Sequence, residues 1–304
     1  MNPIPFIDRA TGKKCDERVY GGKALQLLYG DDLVSKILSP PLLHLLCRYP
    51  LFSHLYGSWQ KSAKSKAKIK PFIKEFELDS SEYLLDVDAY TSFNDFFIRK
   101  LKPEARPIVA EDNIAIIPAD ARYLFHQNIQ ESDGFIVKGE KFCLSILLGD
   151  LELAKKYEGG SMVMARLCPV DYHRYHFPCD SVPKETRFIN GWLYSVNPIA
   201  LKKNIHVLTQ NKRAITELET QAFGTVQYLE IGATSVGSIN QTYTPNEPYK
   251  KGDELGYFSF GASFLILLFE KGRIQIDQDL LEATAKGTEM RCLLGQSLGT
   301  GANL

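Results

Sequence analysis

Lys251-Gly-Asp-Glu-Leu-Gly-Tyr-Phe-Ser-Phe-Gly-Ala-Ser263 runs straight into Phe264-Leu-Ile-Leu-Leu-Phe269. A polar, glycine-bearing turn thus delivers a serine to the mouth of an apolar strand. The small pair Gly261-Ala262 lets the backbone adopt conformations that bulkier residues resist. A serine hydroxyl held there can reach the carbonyl of the residue before it, the geometry that backbone self-cleavage needs. An isolated Gly-Ala-Ser is more often a plain strand start, so a second segment has to decide.

That segment is Arg166-Leu-Cys-Pro-Val-Asp-Tyr-His-Arg-Tyr-His-Phe-Pro178. Histidine titrates near neutrality, so His173 and His176 can supply a general base and an acid. Their spacing leaves two arrangements open, one face of a helix or opposite faces of a strand. Asp171 beside them leaves a metal hydrolase open as a competing reading. It lacks H-E-x-x-H, and no third ligand cluster is evident. Surface or core-bonded histidines remain the bland alternative.

Further motifs follow in order. Ser92-Phe-Asn-Asp-Phe-Phe-Ile-Arg-Lys-Leu101 precedes Arg106-Pro107, then come Pro118-Ala-Asp120, Val137-Lys-Gly139 and Leu147-Leu-Gly149. Leu193-Tyr-Ser-Val-Asn-Pro198 and Ile231-Gly-Ala-Thr-Ser-Val-Gly-Ser-Ile239 complete the series. Together with the two segments above, this set resembles the phosphatidylserine decarboxylases, which make a pyruvoyl group from an internal serine. The resemblance spans residues 92 to 269, and it supplies the context a single motif lacks.

The chemistry it implies is coherent. Decarboxylating an α-amino acid leaves an electron pair that needs a sink, and a ketone-bearing cofactor can provide one. No lysine-centred pyridoxal site is recognisable, so a sink made from Ser263 is the natural alternative. In the implied maturation Ser263 Oγ attacks the Ala262 carbonyl and the amide becomes an ester. Elimination leaves dehydroalanine, whose hydrolysis gives an N-terminal pyruvoyl group on the fragment 263–304, separated from 1–262. By family correspondence His176 is the base for this step, oriented by Asp120, and His173 serves decarboxylation. The implied activity converts phosphatidylserine to phosphatidylethanolamine and carbon dioxide.

Two positions depart from the family pattern. The cleavage motif here is Gly-Ala-Ser-Phe, with Ala262 and Phe264 in place of the usual glycine and hydroxyl residue. Pro-Ala-Asp is followed by Ala121 rather than glycine. An unprocessed, catalytically silent membrane-binding relative is therefore the alternative function.

Composition sets the outer bounds. The chain has 304 residues, with Lys plus Arg and Asp plus Glu both 36. That balance points to no nucleic acid, and the length suits one sizeable core with an appendage. Six cysteines, at 15, 47, 143, 168, 179 and 292, lack C-x-x-C spacing, which fits reduced thiols. No signal peptide and no membrane-spanning run is visible.

Residues 23 to 60 read as helices broken at Pro40-Pro41 and Pro50. Leu25, Leu28, Leu33 and Ile37, then Leu51, Leu55 and Trp59, recur at helical spacing. Six lysines and no acid lie between 61 and 74. Beside apolar helices, such a run suits an anionic membrane surface. Beyond 108 come short strands at 114–117, 135–137, 161–164, 225–229 and 263–269, with the clearest helix at 144–157.

The expected fold is α+β, a β-rich core of antiparallel sheets with an N-terminal helical, membrane-associating layer. The expected division is 1–75 for that layer and 76–304 for the catalytic core. Expected partners are phosphatidylserine, an anionic membrane surface and the two chains of one precursor, with a homo-oligomer left open. The expected location is peripheral, on the cytoplasmic face of the cell membrane.

Overall fold

The computed structural model describes residues 4–30, 35–37, 39, 42, 43, 47, 50–129, 135–137, 140–233, 239–261 and 263–302. The Pro40-Pro41 break, Leu33, Gly139 and Ala262 lie outside the described residues. The fold is α+β, built on a ten-stranded sheet.

Strand Ser263–Phe269 sits in the middle of that sheet, between Gly224–Ile231 and Ser161–Leu167, antiparallel to both. Its seven residues are all buried. Successive side chains point to opposite faces, so a strand covered on both faces reads as an unbroken apolar run. Leu265, Leu267 and Phe269 enter one core with Tyr175, Phe258 and Leu280. Phe264, Ile266 and Leu268 enter a second core with Leu147, Leu201 and Leu208. Burying one such side chain contributes about 1.5–3 kcal/mol, so this strand anchors two layers at once.

Beyond Ser161–Leu167 the sheet continues through Ala121–His126 and Glu289–Cys292 to Ile4–Asp8 and Lys14–Glu17. Ile4–Asp8 pairs parallel with Glu289–Cys292, while the other strand pairs of the sheet are antiparallel. The first residues of the chain therefore lie beside nearly its last. A small sheet of Ile239–Gln241, Glu254–Phe258 and Arg174–His176 packs over the face that carries Leu265.

The expected helix at 144–157 is two helices, Leu144–Leu148 and Leu151–Lys156. Gly149 takes a left-handed φ of 63° and ends the first. A Cβ there would meet Ile189 Cδ1 at 2.9 Å, so glycine is needed for shape as well as for dihedral angle. Asp150 then caps the second helix by accepting from Leu153 N. Pro50 is the first described residue of helix Pro50–Lys61.

The region before residue 76 divides its contacts. Ile69 and Phe72 of helix Ile69–Phe76 are buried among Phe93, Phe96, Phe97 and Phe260. Leu55 and Trp59 of helix Pro50–Lys61 stay 64% and 43% exposed. Four residues apart, they share one helix face. Among the described residues no helix is long and apolar enough to cross a membrane.

Candidate active site

Phe260 pins the turn that leads to Ser263. Its ring lies 5.2 Å from that of Phe93 and 4.9 Å from that of Phe97. Its amide donates to Asn94 Oδ1 at 3.0 Å. All three contacts come from the short helix Phe93–Phe97, whose first turn is capped by the Ser92 hydroxyl. The turn then needs a glycine, since Gly261 has φ 142°, where side-chain-bearing residues are rarely found. Ser263 follows at the start of the central strand, opposite Leu167. Its Oγ is buried and has no hydrogen-bond partner among the described residues. Such a hydroxyl is costly unless it has a task.

The two histidines lie on no helix, and only one of them is on a strand. His176 belongs to strand Arg174–His176 and His173 comes just before it, and their surroundings differ accordingly. The carbonyl of Asp171 receives His173 Nδ1 at 3.0 Å. A carbonyl only accepts, so Nδ1 carries the proton of the neutral ring. The lone pair is then on Nε2, which has no well-formed hydrogen bond among the described residues. Burial lowers the His173 pKa to about 4, against the pull of the Asp171 and Gly261 carbonyls. The Gly261 carbonyl therefore faces this ring, and His173 is the histidine set against the turn.

His176 bonds Gly252 O through Nδ1 at 2.9 Å and meets the Tyr172 hydroxyl through Nε2 at 3.2 Å. The same logic leaves the lone pair on Nε2, where the tyrosine donates to it. Burial lowers its pKa, while the Gly252 carbonyl and the charges of Glu254 and Asp120 oppose that.

Asp120 lies close enough to act on His176 by charge, yet its hydrogen bonds go elsewhere. Arg106 grips it from Nε at 3.0 Å and Nη2 at 2.7 Å, and Leu294 N donates at 2.9 Å. Arg106 also holds Glu82. A cavity of about 400 Å³ opens between these groups, with Asp120, Arg106, Tyr172 and Arg122 in its wall. Asp171, expected as a possible metal ligand, instead pairs with Arg122 and accepts from Cys168 N. Among the described residues no group of three or more His, Cys, Asp or Glu side chains is arranged to hold a metal ion.

Some neighbours of the site carried no readable signal. Tyr172 and Phe97 lie inside the quoted motifs but have no assignable role by residue type. Gly252 acts through its carbonyl, which any residue offers. Glu17 is far away in sequence and reaches the site only through tertiary pairing.

The chain matches the family model for phosphatidylserine decarboxylase over residues 93–300. It is 50% identical over 299 residues to the phosphatidylserine decarboxylase proenzyme of Chlamydia pneumoniae, covering 98% of each chain. A Fusobacterium nucleatum protein of the same name is 44% identical over 300 residues, covering 99% of this chain and 98% of that one. The fold and these matches define a decarboxylase. More particularly, the chain belongs to the phosphatidylserine decarboxylase family.

Proposed function

We propose that this protein cleaves itself between Ala262 and Ser263 and then decarboxylates phosphatidylserine to phosphatidylethanolamine and carbon dioxide. The observation that carries this reading is the Ser263 hydroxyl, buried and without a hydrogen-bond partner among the described residues, behind a turn that requires Gly261. The proenzyme names of its relatives point the same way. Ser263 Oγ attacks the Ala262 carbonyl, and the base takes the hydroxyl proton. β-Elimination then releases the chain ending at 262 as a carboxylate and leaves dehydroalanine at 263, and water hydrolyses that residue to a pyruvoyl group with loss of ammonia. That group supplies a ketone that condenses with the serine headgroup amine and accepts the electron pair left when carbon dioxide departs.

His176 is assigned as the maturation base on family correspondence, with its tautomer set by Gly252 and its charged form favoured by Asp120. His173 is assigned to the lipid reaction. The tilted Phe97 ring keeps water off it, and its Nε2, without a well-formed hydrogen bond among the described residues, can hold or return a proton beside the new terminus. A second reading makes His173 the maturation base, favoured by its place against Gly261. The catalytic core is proposed to be 76–304, as chains 1–262 and 263–304. Residues 1–75 carry the membrane-associating surface, apart from the hairpin at 4–17, which extends the main sheet. That surface is proposed to lie on the cytoplasmic leaflet.

The test uses purified, cleaved protein and phosphatidylserine in detergent micelles, following the ethanolamine headgroup. Product is expected, and free serine should be a poor substrate because remote contacts contribute to transition-state binding. Fully cleaved protein that makes no product would overturn the reading.

A further inference from the structure

Glu17 ends the hairpin strand Lys14–Glu17, ahead of the family-matched segment. Its carboxylate is only 4% exposed, although hairpin residues on either side of it lie at the surface. Arg166 grips it with two nitrogens, at 3.2 and 2.8 Å. Cys168 Sγ donates to it at 3.2 Å, and Arg122 Nε stands 3.3 Å away. Arg166 also holds Glu289, and Arg122 holds Asp171. Two buried guanidinium groups therefore meet three carboxylates, drawn from two strands and the loop after a third that lie far apart in sequence.

One arm of this cluster ends at the histidine loop. The Asp171 carboxylate is fixed by Arg122 and by Cys168 N, while its carbonyl takes the proton of His173 Nδ1. The other arm ends on Glu289, in the segment that follows Ser263. Arg99, from the end of the Phe93–Phe97 helix, adds bonds to the Val170 and Asp171 carbonyls.

We propose that Glu17 is a positioning residue for His173: the N-terminal hairpin acts as a strap that, through Arg122 and Asp171, holds the ring in the tautomer with its lone pair on Nε2. The physical reason lies in how donors are matched. Arg166 donates to both oxygens of Glu17 and Cys168 Sγ to one of them, while the Arg122 guanidinium stands beside it as an ion pair without a hydrogen bond, and only a carboxylate accepts with both oxygens. A glutamine of the same shape must turn its NH2 against a guanidinium. Arg122 then loses the charge of one of its two carboxylate partners, and Asp171, still held by Arg99 and Cys168 N, loses part of what fixes its carbonyl against His173. A hairpin outside the site thereby sets which nitrogen of the site carries a proton.

The turnover arm of the test rests on the proposed lipid reaction, so a second arm does not. In the Ser263→Ala precursor, which cannot mature, histidine ring 15N spectra report the His173 tautomer directly. Glu17→Ala and Glu17→Gln should each convert the single Nδ1–H signature into a mixture, while the His176 signals stay in place. In the cleavable background the same substitutions should lower kcat about tenfold with KM unchanged. An unaltered His173 signature in folded Glu17→Gln precursor overturns the proposal, whatever the activity. So does a variant that merely melts earlier while each cleaved molecule turns over normally. Should Glu17→Ala fail to fold, the isosteric Glu17→Gln decides alone. If wild-type protein shows no turnover but the tautomer shifts as expected, the lipid reading fails and the strap stands.

Discussion

The rings of Phe97 and His173 lie 3.9 Å apart between centroids, inclined at 36°. The phenyl ring covers the imidazole and removes water that would solvate its charge, which is why burial dominates the fall of its pKa to about 4. Asp171 favours the charged form and Arg99 opposes it, and neither restores the ordinary value. Phe97 thus acts on the site by displacing solvent.

Phe97→Leu should let water reach one face of that ring. Its His173 pKa should rise from about 4 towards the ordinary 6.5. In the wild type the unfolded chain binds the proton between those values and the folded chain does not. Stability is therefore present above 6.5 and is lost as pH falls towards 4. The variant should pay about 1–2 kcal/mol in packing at neutral pH, yet lose less on acidification. Melting temperatures of the Ser263→Ala precursor at pH 7 and pH 5 measure this. An equal or wider gap in the variant refutes the role given to Phe97.

Glu230 works in the opposite direction. It lies on strand Gly224–Ile231 facing Leu265 of the Ser263 strand, and neither carboxyl oxygen has a well-formed hydrogen bond among the described residues. Burial pushes its pKa from 4.5 to about 8, with the Gln241 amide opposing. The folded protein binds a proton there that the unfolded chain releases, so stability falls as pH rises from 4.5 through 8. Glu230→Gln should flatten that slope and be at least as stable as the wild type at pH 8. Denaturant midpoints at pH 5 and 8 check it; an unchanged difference between them would show that Glu230 is already ionised.

The contrast between two strands shows what the sequence made legible. Ser263–Phe269 reads as a strand because two apolar layers cover it and every side chain is apolar after the serine. Ala121–His126 is just as buried apart from two half-buried positions, yet it carries Arg122. That arginine is tolerated because Glu17 and Asp171 neutralise it, and no local pattern announces partners so distant. Helix 144–157 looked continuous because a left-handed residue at Gly149 leaves little trace in the periodicity on either side. The proposed site residues Asp120, His173, His176 and Ser263 were readable only as residue types in ordered motifs. Their bonds were not legible: Asp120 turns to Arg106, and His176 to Tyr172 and Gly252. These contacts depend on the packing of the small sheet on the large one.

The lysine run also gains detail. Lys66 and Lys70 bond Asp88, and Lys68 lies over the Trp59 ring at 3.8 Å. Lys61, Lys64 and Lys74 are exposed and should meet anionic lipid first. At about 1 kcal/mol per lysine near such a surface, Lys61→Gln, Lys64→Gln and Lys74→Gln together should weaken binding to phosphatidylserine vesicles about 100-fold at low salt. Raising the salt should narrow the difference, because exposed charges are screened. Leu55→Gln with Trp59→Gln should weaken binding with little salt dependence. Co-sedimentation measures both, and equal binding by all variants would remove this surface from contention.

The division of labour between the two histidines is the sharpest point, because the family correspondence and the geometry weigh differently on it. Correspondence gives the maturation step to His176, and its Nε2 lone pair is set for a base by Gly252. Position sets His173 against Gly261. Ser263→Ala should leave the chain uncut on either view. His176→Ala should leave it largely uncut, and Asp120→Asn should slow cleavage by removing the charge that favours the protonated ring. His173→Ala should split normally and then turn over slowly. Loss of a positioned acid or base costs on the order of 100- to 10,000-fold, so each defect is visible by intact mass and by headgroup assay. Thermal melts exclude variants that fail only because the core has loosened. If folded His176→Ala splits at the wild-type rate while folded His173→Ala stays whole, the base is His173 and the assignment by correspondence is wrong for this chain.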